Sequence, residues 1–258
     1  MDKNLLPILL LTHNRFAYTV LAIMAIRQNT DVPYKLYIWD NASTDDTRIF
    51  LKYLNEIDPE IEICLSEKNV GISKAMNEFI KRFRDYDYLA KVDNDTLVPS
   101  GWASELLKVM KEKNLDTISA SLVRHYGQTT QEWFGGMRKE RYGDKTLYFN
   151  HYTSGSGIVF KTDIFRRLGL LFDGICELGT WSYLQRILTS RGGRCAFYDG
   201  VWVRQLDMAK EHQKSGDYAE YDQIIKAIRE EGNRKWVELG DVEGITKMIQ
   251  ARGGTEKL

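Results

Sequence analysis

The sequence predicts an α/β fold in which a mainly parallel, Rossmann-like sheet is flanked by helices. The first half alternates between short apolar segments and longer segments with helical periodicity, which is typical of a parallel sheet with helices on both faces. The opening apolar run from Leu5 to Leu11 is continuous, as expected of a strand buried on both faces. Between Ile72 and Phe83 the apolar residues recur at helical spacing, which indicates a helix with one face in the core.

Four strand–helix repeats follow one another in this half. Ser43 and Thr44 are the expected N-caps of the second helix, because short hydroxyl side chains accept hydrogen bonds from the first free backbone N–H groups. The expected strands are 5–11, 36–39, 61–65, 88–92 and 117–123. The other expected helices are 17–28, 72–83 and 102–111, and the second helix, which follows these caps, has its apolar face between residues 49 and 57.

The second half is less regular. Short strands are expected at 133–136, 147–149 and 157–160, then a helix at 181–190 and a strand at 194–198. A basic cluster in this half is more typical of a solvated loop than of a binding site for an anionic acceptor; it comprises Arg138, Lys139, Arg141 and Lys145. We expect one α/β domain over residues 1–215 and a charged helical extension over 216–258. That extension is expected to pack on the outside or to contact a second copy in a homo-oligomer.

Composition argues against several classes of protein. The 258 residues include 36 basic and 36 acidic side chains, so net charge does not favour nucleic acid or an anionic membrane as a partner. Cys64, Cys176 and Cys195 suit neither a zinc site nor a disulfide framework. The run from Leu5 to Leu11 is too short to span a bilayer, so no transmembrane segment is expected near the start. We expect a cytoplasmic protein, with peripheral membrane association left open.

Polar residues follow each of the first four predicted strands. In an open parallel sheet, ligands bind outside the carboxyl ends of the strands, so these residues are expected to share one rim. They are Thr12, His13, Asn14 and Arg15 after the first strand, Asp40 after the second, Asn69 and Gly71 after the third, and Asp93, Asn94 and Asp95 after the fourth.

The Asp93-Asn94-Asp95 segment has two interpretations. Two carboxylates separated by one residue suit Mg²⁺ or Mn²⁺, which prefer oxygen ligands and often take the remainder from a phosphate. The alternative is an ordinary turn, because Asp and Asn are common in turns. The position of the segment on the expected binding rim favours the metal.

Other rim residues also leave alternatives open. Asp40 ends a buried strand, where a charge needs a partner: either a nucleobase or ribose group, or the entry to the next helix. His13 is more typical of a hydrogen-bonded loop histidine than of a metal ligand. Arg15 and Lys74 are either phosphate contacts or solvated side chains.

Four motifs together resemble those of the family-2 glycosyltransferases, which have the GT-A fold. The motifs are Leu10 to Arg15, Asp40 to Thr47, Asn69 to Asn77 and Val92 to Trp102, with a weaker match from Gly155 to Phe165. Their order and spacing cover roughly residues 5 to 200. The resemblance implies a nucleotide-sugar-binding half over 1–101 and an acceptor-binding half over 102–215.

The resemblance also implies roles for individual residues. Asp93 and Asp95 form a D-x-D motif for Mn²⁺ or Mg²⁺, with Asp95 the better ligand. Asp40 binds the base of a nucleoside-diphosphate sugar, for which a UDP-sugar is favoured. The other donor contacts implied are Thr12, His13, Asn14, Arg15, Asn69, Gly71, Lys74 and Asn94. Trp133, Trp181 and Trp202 are either sugar-stacking residues or core aromatics.

The sequence departs from the family in two places. Inverting members carry a Glu-Asp pair near the position of Thr180 to Ser182, and its Asp is the catalytic base; no carboxylate stands there. Glu177 is therefore the first candidate for the base, and Asp173 the second. Arg204 stands roughly where many members have a metal-binding histidine, and an arginine there would bind the diphosphate directly.

The sequence thus favours a metal-dependent glycosyltransferase that acts on a glycan or another acceptor hydroxyl. A sugar nucleotidyltransferase is a rival, although Thr12 to Arg15 lacks the glycine-rich phosphate loop that such an enzyme needs. A non-catalytic carbohydrate-binding relative is the other rival, because the usual base is missing.

Overall fold

A computed structural model describes residues 5–58, 60–123, 134–151, 153–169 and 180–206. Its strands are β1 (Leu6–Thr12), β2 (Tyr34–Asp40), β3 (Glu62–Leu65), β4 (Tyr88–Asp93), β5 (Thr96–Leu97), β6 (Thr117–Val123), β7 (Arg138–Tyr142), β8 (Lys145–Phe149), β9 (Ile158–Lys161) and β10 (Cys195–Gln205). Its helices are α1 (Phe16–Asn29), α2 (Thr47–Ile57), α3 (Gly71–Arg82), α4 (Trp102–Glu112), α5 (Asp163–Leu168) and α6 (Thr180–Ser190).

The strands form one sheet in the order β3-β2-β1-β4-β9-β6-β10-β8-β7, with the short β5 paired to β10. The first four strands in that order are mutually parallel, and β10 is parallel to β6. β9 runs antiparallel between β4 and β6, and the β7–β8 hairpin extends the far edge. The expected α/β fold is therefore confirmed, and the antiparallel pairings lie in its second half.

Alternate residues of the central strands point into two hydrophobic cores, one on each face of the sheet. Ile8 and Leu10 of β1 pack with helices α1, α2 and α4, whereas Leu9 and Leu11 pack with α3, α5 and α6. Because β1 is buried along its whole length, its sequence is continuously apolar rather than alternating.

The expected caps of the second helix are wrong. The helix begins at Thr47, not just after Ser43 or Thr44. The Ser43 hydroxyl instead accepts a hydrogen bond from the Asn14 backbone N–H at 2.7 Å, so it serves the neighbouring loop. Asp45 accepts hydrogen bonds from the N–H groups of Thr47 and Phe16, each at 3.0 Å. It thereby provides an acceptor for a free backbone N–H group at the start of both α2 and α1.

The second half contains two further corrections. Residues 134–136 form a turn rather than part of a strand, while Trp133 lies outside the described residues. The basic cluster is a hairpin rather than a solvated loop: Arg138, Lys139 and Arg141 belong to β7, and Lys145 begins β8. A charged edge strand is a common device, because charge discourages pairing with another chain.

Two cysteines within the described ranges are free thiols, Cys64 and Cys195. Burial raises the pKa of both, and that of Cys195 reaches about 12. A thiol with so high a pKa is protonated and unreactive at neutral pH. Cys176 lies outside the described residues.

No helix within the described ranges combines the length and the apolar character that crossing a bilayer requires. The expected helical extension over 216–258 lies outside those ranges.

Candidate functional site

The register of the parallel strands brings three predicted residues to one rim. Thr12, the last residue of β1, lies opposite Asp40, the last residue of β2. On the other side of β1, Leu11 lies opposite Asp93, the last residue of β4. The carboxyl ends of adjacent strands therefore place two carboxylates on either side of the loop after β1.

That loop is held by the loop after β2. Asn14 and Arg15 have left-handed backbone conformations, with φ of 57° and 64°, which are uncommon for non-glycine residues. The Asn14 side-chain oxygen accepts a hydrogen bond from the Thr44 N–H at 2.7 Å. His13 is exposed, and its Nδ1 lies 2.8 Å from the Asn41 carbonyl oxygen. His13 is thus hydrogen-bonded to the loop after β2, and its predicted contact with a nucleotide stays a prediction.

The loop after β3 is tied to the same rim by Asn41. Its side-chain nitrogen donates to Asn69 Oδ1 at 2.6 Å, and its side-chain oxygen accepts from the Val70 N–H at 2.8 Å. Gly71 begins α3 with φ of 81°, a conformation that favours glycine. Lys74 is exposed one turn into that helix.

Asp40 is a fully buried carboxylate with partners inside the protein. Its side chain is 0% exposed, and Arg48 Nη1 lies 3.2 Å from Oδ2. The Ser43 N–H donates to both carboxylate oxygens at 3.2 and 3.3 Å. These contacts satisfy the buried charge, so a nucleobase would reach Asp40 only after Arg48 or the loop at Ser43 moved.

The segment from Asp93 to Asp95 is clamped to β1 and α1 through Asn94. The Asn94 side-chain nitrogen donates to Thr12 Oγ1, Asn14 O and Thr19 Oγ1 at 3.1 to 3.2 Å. This buried amide fixes the turn that separates the two carboxylates.

The two carboxylates have different surroundings. Asp95 Oδ2 lies 3.6 Å from Arg15 Nη1, and the Asp95 carbonyl oxygen accepts from the Leu206 N–H at 2.7 Å. Asp93 instead forms an ion pair with Lys91, while its N–H donates to Ser156 Oγ at 2.9 Å. Asp93 therefore contacts the 153–157 segment in the second half of the chain.

Strand β10 ends beside these carboxylates. Arg204 pairs with Leu97 and Gln205 with Thr96, which places the end of β10 next to Asp95. Arg204 Nε is buried and has no hydrogen-bond partner among the residues that the structure describes. Arg204 therefore lies beside the carboxylates, and its role in binding a diphosphate stays a prediction.

Several residues that the sequence assigned to the site either lie outside the described residues or have contacts elsewhere in the fold. Glu177, Asp173 and Trp133 lie outside the described residues. The Trp181 ring packs against Phe160 with centroids 5.1 Å apart, and Trp202 Nε1 donates to the Asp199 carbonyl at 2.7 Å. Trp181 is therefore part of the core that α6 forms with the sheet, in agreement with the alternative interpretation of this tryptophan.

The chemistry of the rim suits a hard divalent cation. Asp93 and Asp95 offer carboxylate oxygens, the ligand type that Mg²⁺ and Mn²⁺ prefer. Within the described ranges no three His, Cys, Asp or Glu side chains converge as a metal site. The pair therefore fits a cation that takes its other ligands from a nucleotide and water.

Three residues at this rim were missed by sequence reasoning. Arg48 stands on α2 and neutralises Asp40, Ser156 supports Asp93, and Lys91 pairs with Asp93. Only Lys91 gave a signal in the sequence, because a lysine inside the apolar segment Leu89 to Val92 requires a buried partner.

The model of the family described as glycosyl transferase family 2 matches residues 8–169 of the chain. No curated protein sequence matches the chain significantly.

Solved structures of glycosyltransferases have the same fold. A crystal structure of GalNAc-T7 with UDP, GalNAc and Mn²⁺ superposes with a TM-score of 0.64 at 14% identity, over 98% of this chain and 55% of that one. A structure of S. aureus TarS 1-349 in complex with UDP-GlcNAc gives a TM-score of 0.55 at 14% identity, over 78% and 58%. The chain spans less than two thirds of the length of either structure. The expected GT-A fold is thereby confirmed.

Proposed function

Because the chain belongs to glycosyl transferase family 2, we propose that it transfers a sugar from a UDP-sugar to an acceptor hydroxyl with the help of Mn²⁺ or Mg²⁺. Glycosyl transfer is the activity of the family. The metal, the nucleotide and the roles of single residues are our proposal. The observation that carries it is the convergence of Asp93, Asp95 and the polar loops after β1, β2 and β3 at one rim.

The proposed donor site uses residues on both sides of β1. Thr12 and Asn14 line the nucleotide pocket beside Asp40, and the loop at Asn69 and Gly71 forms its border. These loops are cross-linked by hydrogen bonds through Asn14 and Asn41. A pocket held in this way loses little conformational entropy when a nucleotide binds.

The leaving group of the reaction is a nucleoside diphosphate, on which negative charge develops. Arg15 is a partly exposed cation at the rim, and we assign Arg204 and Lys74 to the same anionic group. Asp95 would hold a divalent cation there, and the positive charge of that cation would stabilise the negative charge on the leaving group. Arg15 and Arg204 would orient the diphosphate from the protein side.

The acceptor hydroxyl has to lose a proton, which in an inverting reaction is taken by a nearby base. We keep Glu177 as the first candidate for that base and Asp173 as the second. The acceptor itself is proposed only as a hydroxyl of a glycan or another molecule.

The test of the donor site is the Asp95→Asn variant. Removing one charge while keeping the shape of the side chain should abolish the Mn²⁺-dependent part of UDP binding, with little effect on folding. The measurement is the Kd of UDP by calorimetry, with Mn²⁺ and with EDTA, for both proteins. An Asp95→Asn protein that binds UDP and Mn²⁺ like the wild type contradicts the metal site.

The matched control is Asp144→Asn. Asp144 is an exposed carboxylate at the β7–β8 turn, where it pairs with Lys145, so the same chemical change occurs away from the rim. Its Kd for UDP with Mn²⁺ should equal that of the wild type. Slow release of UDP from a UDP-sugar in the presence of Mn²⁺ would then distinguish a transferase from a non-catalytic binding protein.

A further inference from the structure

Lys91 is a buried charge inside the central strand β4. Its side chain is only 6% exposed, and its neighbours Leu89, Ala90 and Val92 are fully buried. An ammonium group in such a position destabilises the fold unless it is paired and hydrogen-bonded. Its presence therefore requires a specific partner.

The partners of Lys91 connect the two halves of the chain. Lys91 and Asp93 are two residues apart on the strand, so their side chains lie on the same face of the sheet, where they form an ion pair. Lys91 Nζ also donates to the Gly155 carbonyl oxygen at 2.8 Å. Next to it, the Asp93 N–H donates to Ser156 Oγ at 2.9 Å. Asp93 is thus held from two sides.

Asp95 has a different kind of cationic neighbour. Arg15 Nη1 lies 3.6 Å from Asp95 Oδ2, and the Arg15 side chain is 37% exposed. The Asp95 side chain is only 11% exposed, so it is the Arg15 end of this pair that is open to solvent. Their separation is near the upper limit for an ion pair, and the guanidinium lacks the burial that fixes Lys91. Arg15 can therefore leave Asp95, whereas Lys91 is fixed beside Asp93 by burial and by Gly155.

We propose that Lys91 is a positioning residue that keeps Asp93 paired and withholds it from the divalent cation. Asp95 is then the carboxylate of this pair that meets the cation together with the diphosphate. The inference rests on the proposed metal-dependent donor site and specifies how its two carboxylates divide their roles. It also accounts for a lysine in an otherwise apolar strand.

The first expected result compares the two carboxylates. Asp93→Asn should weaken Mn²⁺–UDP binding by only about two- to threefold, because the asparagine oxygen can still accept a hydrogen bond from Lys91. Asp95→Asn should weaken it by more than about thirtyfold, because a charged ligand is lost. The measurement is the Kd of the Mn²⁺–UDP complex by calorimetry.

The second expected result isolates Lys91. Lys91→Met should tighten the binding of Mn²⁺ alone by about tenfold at low ionic strength, because the released Asp93 adds a second carboxylate close to the first. The Kd of Mn²⁺ without nucleotide, followed by electron paramagnetic resonance of free and bound Mn²⁺, gives this value. A lysine with a purely structural role would lower the melting temperature without raising Mn²⁺ affinity.

A double variant covers the case in which Lys91→Met does not fold. Lys91→Met/Asp93→Asn removes both charges together, so no unpaired carboxylate remains, and its Kd for Mn²⁺–UDP should stay within about threefold of Asp93→Asn. Circular dichroism of each protein reports folding.

Two outcomes overturn the inference. One is an Asp93→Asn variant that loses Mn²⁺–UDP affinity as completely as Asp95→Asn. The other is a folded Lys91→Met variant whose Kd for Mn²⁺ equals that of the wild type. A wild-type protein that binds UDP equally well with Mn²⁺ and with EDTA would instead overturn the proposed metal-dependent function, so the two failures are distinguishable.

Discussion

At the scale of single residues, the rim depends on buried charges that are paired within the protein. Asp40 is 0% exposed and is neutralised by Arg48, which also donates to the Ser66 carbonyl oxygen at 2.6 Å and to Glu67 at 2.7 Å. The pair is asymmetric, because Arg48 has other acceptors whereas Asp40 has no other cation within the described residues. Removing one partner should therefore have a different effect from removing the other.

We predict that Arg48→Met lowers the free energy of unfolding by about 3 kcal/mol or more, since it leaves a buried carboxylate without its cation. Asp40→Asn should cost only about 0.5–1.5 kcal/mol, the net value of an ordinary hydrogen bond. Urea unfolding of both variants measures the two values. Equal losses would contradict the asymmetry of the pair.

Asp40→Asn also tests the contact with the nucleotide base that the family resemblance implies for Asp40. If the carboxylate accepts a hydrogen bond from the nucleotide, UDP binding should weaken by about 1.5–3 kcal/mol, the range for a hydrogen bond to a charged group. An unchanged Kd for UDP in the folded Asp40→Asn protein would leave Asp40 with a structural role only.

At the scale of elements, the start of β9 is fixed by close packing against β10. Gly157 has φ of +62°, and a Cβ there would lie 2.9 Å from Val203 Cγ1 and 3.4 Å from Ala120 Cβ. The same segment carries Gly155 and Ser156, which contact Lys91 and Asp93. Packing at Gly157 therefore determines where the second half meets the rim.

We predict that Gly157→Ala is more destabilising than Gly143→Ala. Gly143 has nearly the same backbone angle, φ of +61°, but a Cβ there has no described atom within 4 Å. Gly143→Ala should cost about 1–2 kcal/mol from the left-handed conformation alone, and Gly157→Ala should add about 1–3 kcal/mol of overpacking. Thermal unfolding of the two variants gives the difference, and equal melting temperatures would contradict the close contact with Val203.

At the scale of the whole molecule, the proposed function assigns donor binding and acceptor chemistry to different halves of the chain. The rim residues before Gly101 lie at or just after the ends of the parallel strands, whereas the candidate base comes after β9 in the sequence. Substitutions in the two halves should therefore change different kinetic constants. Loss of a rim residue should change donor affinity, and loss of the base should change turnover.

We predict that Glu177→Gln lowers kcat by about 10²–10⁴-fold with the Kd of the donor unchanged, as expected for removal of a general base. Asp173→Asn is the comparison variant and should have a smaller effect. NMR of the anomeric centre of the product should show inversion. Retention of configuration together with a fully active Glu177→Gln enzyme would exclude a base at this position.

The order of strands and helices in the first half could be predicted from the sequence. The strands there are short apolar segments, whereas the helices have apolar residues at helical spacing. The predicted and observed bounds of β4, α3 and α4 differ by no more than one residue at either end. The same pattern located the rim, since residues that follow parallel strands must meet at one edge of the sheet. The expected strand at 147–149 lies within β8, but β7 escaped prediction, because an edge strand rich in charge lacks the alternation that marks a half-buried strand.

The fold class, the polar rim and the carboxylate pair could be predicted from the amino-acid sequence, since they depend on local periodicity and on short motifs. The side chains that neutralise those carboxylates became known only from the packing of the folded chain. Arg48 pairs with Asp40 across a loop, and the Gly155 carbonyl that fixes Lys91 beside Asp93 is 64 residues away in the chain. Such pairings depend on how distant segments pack, and no local pattern encodes them.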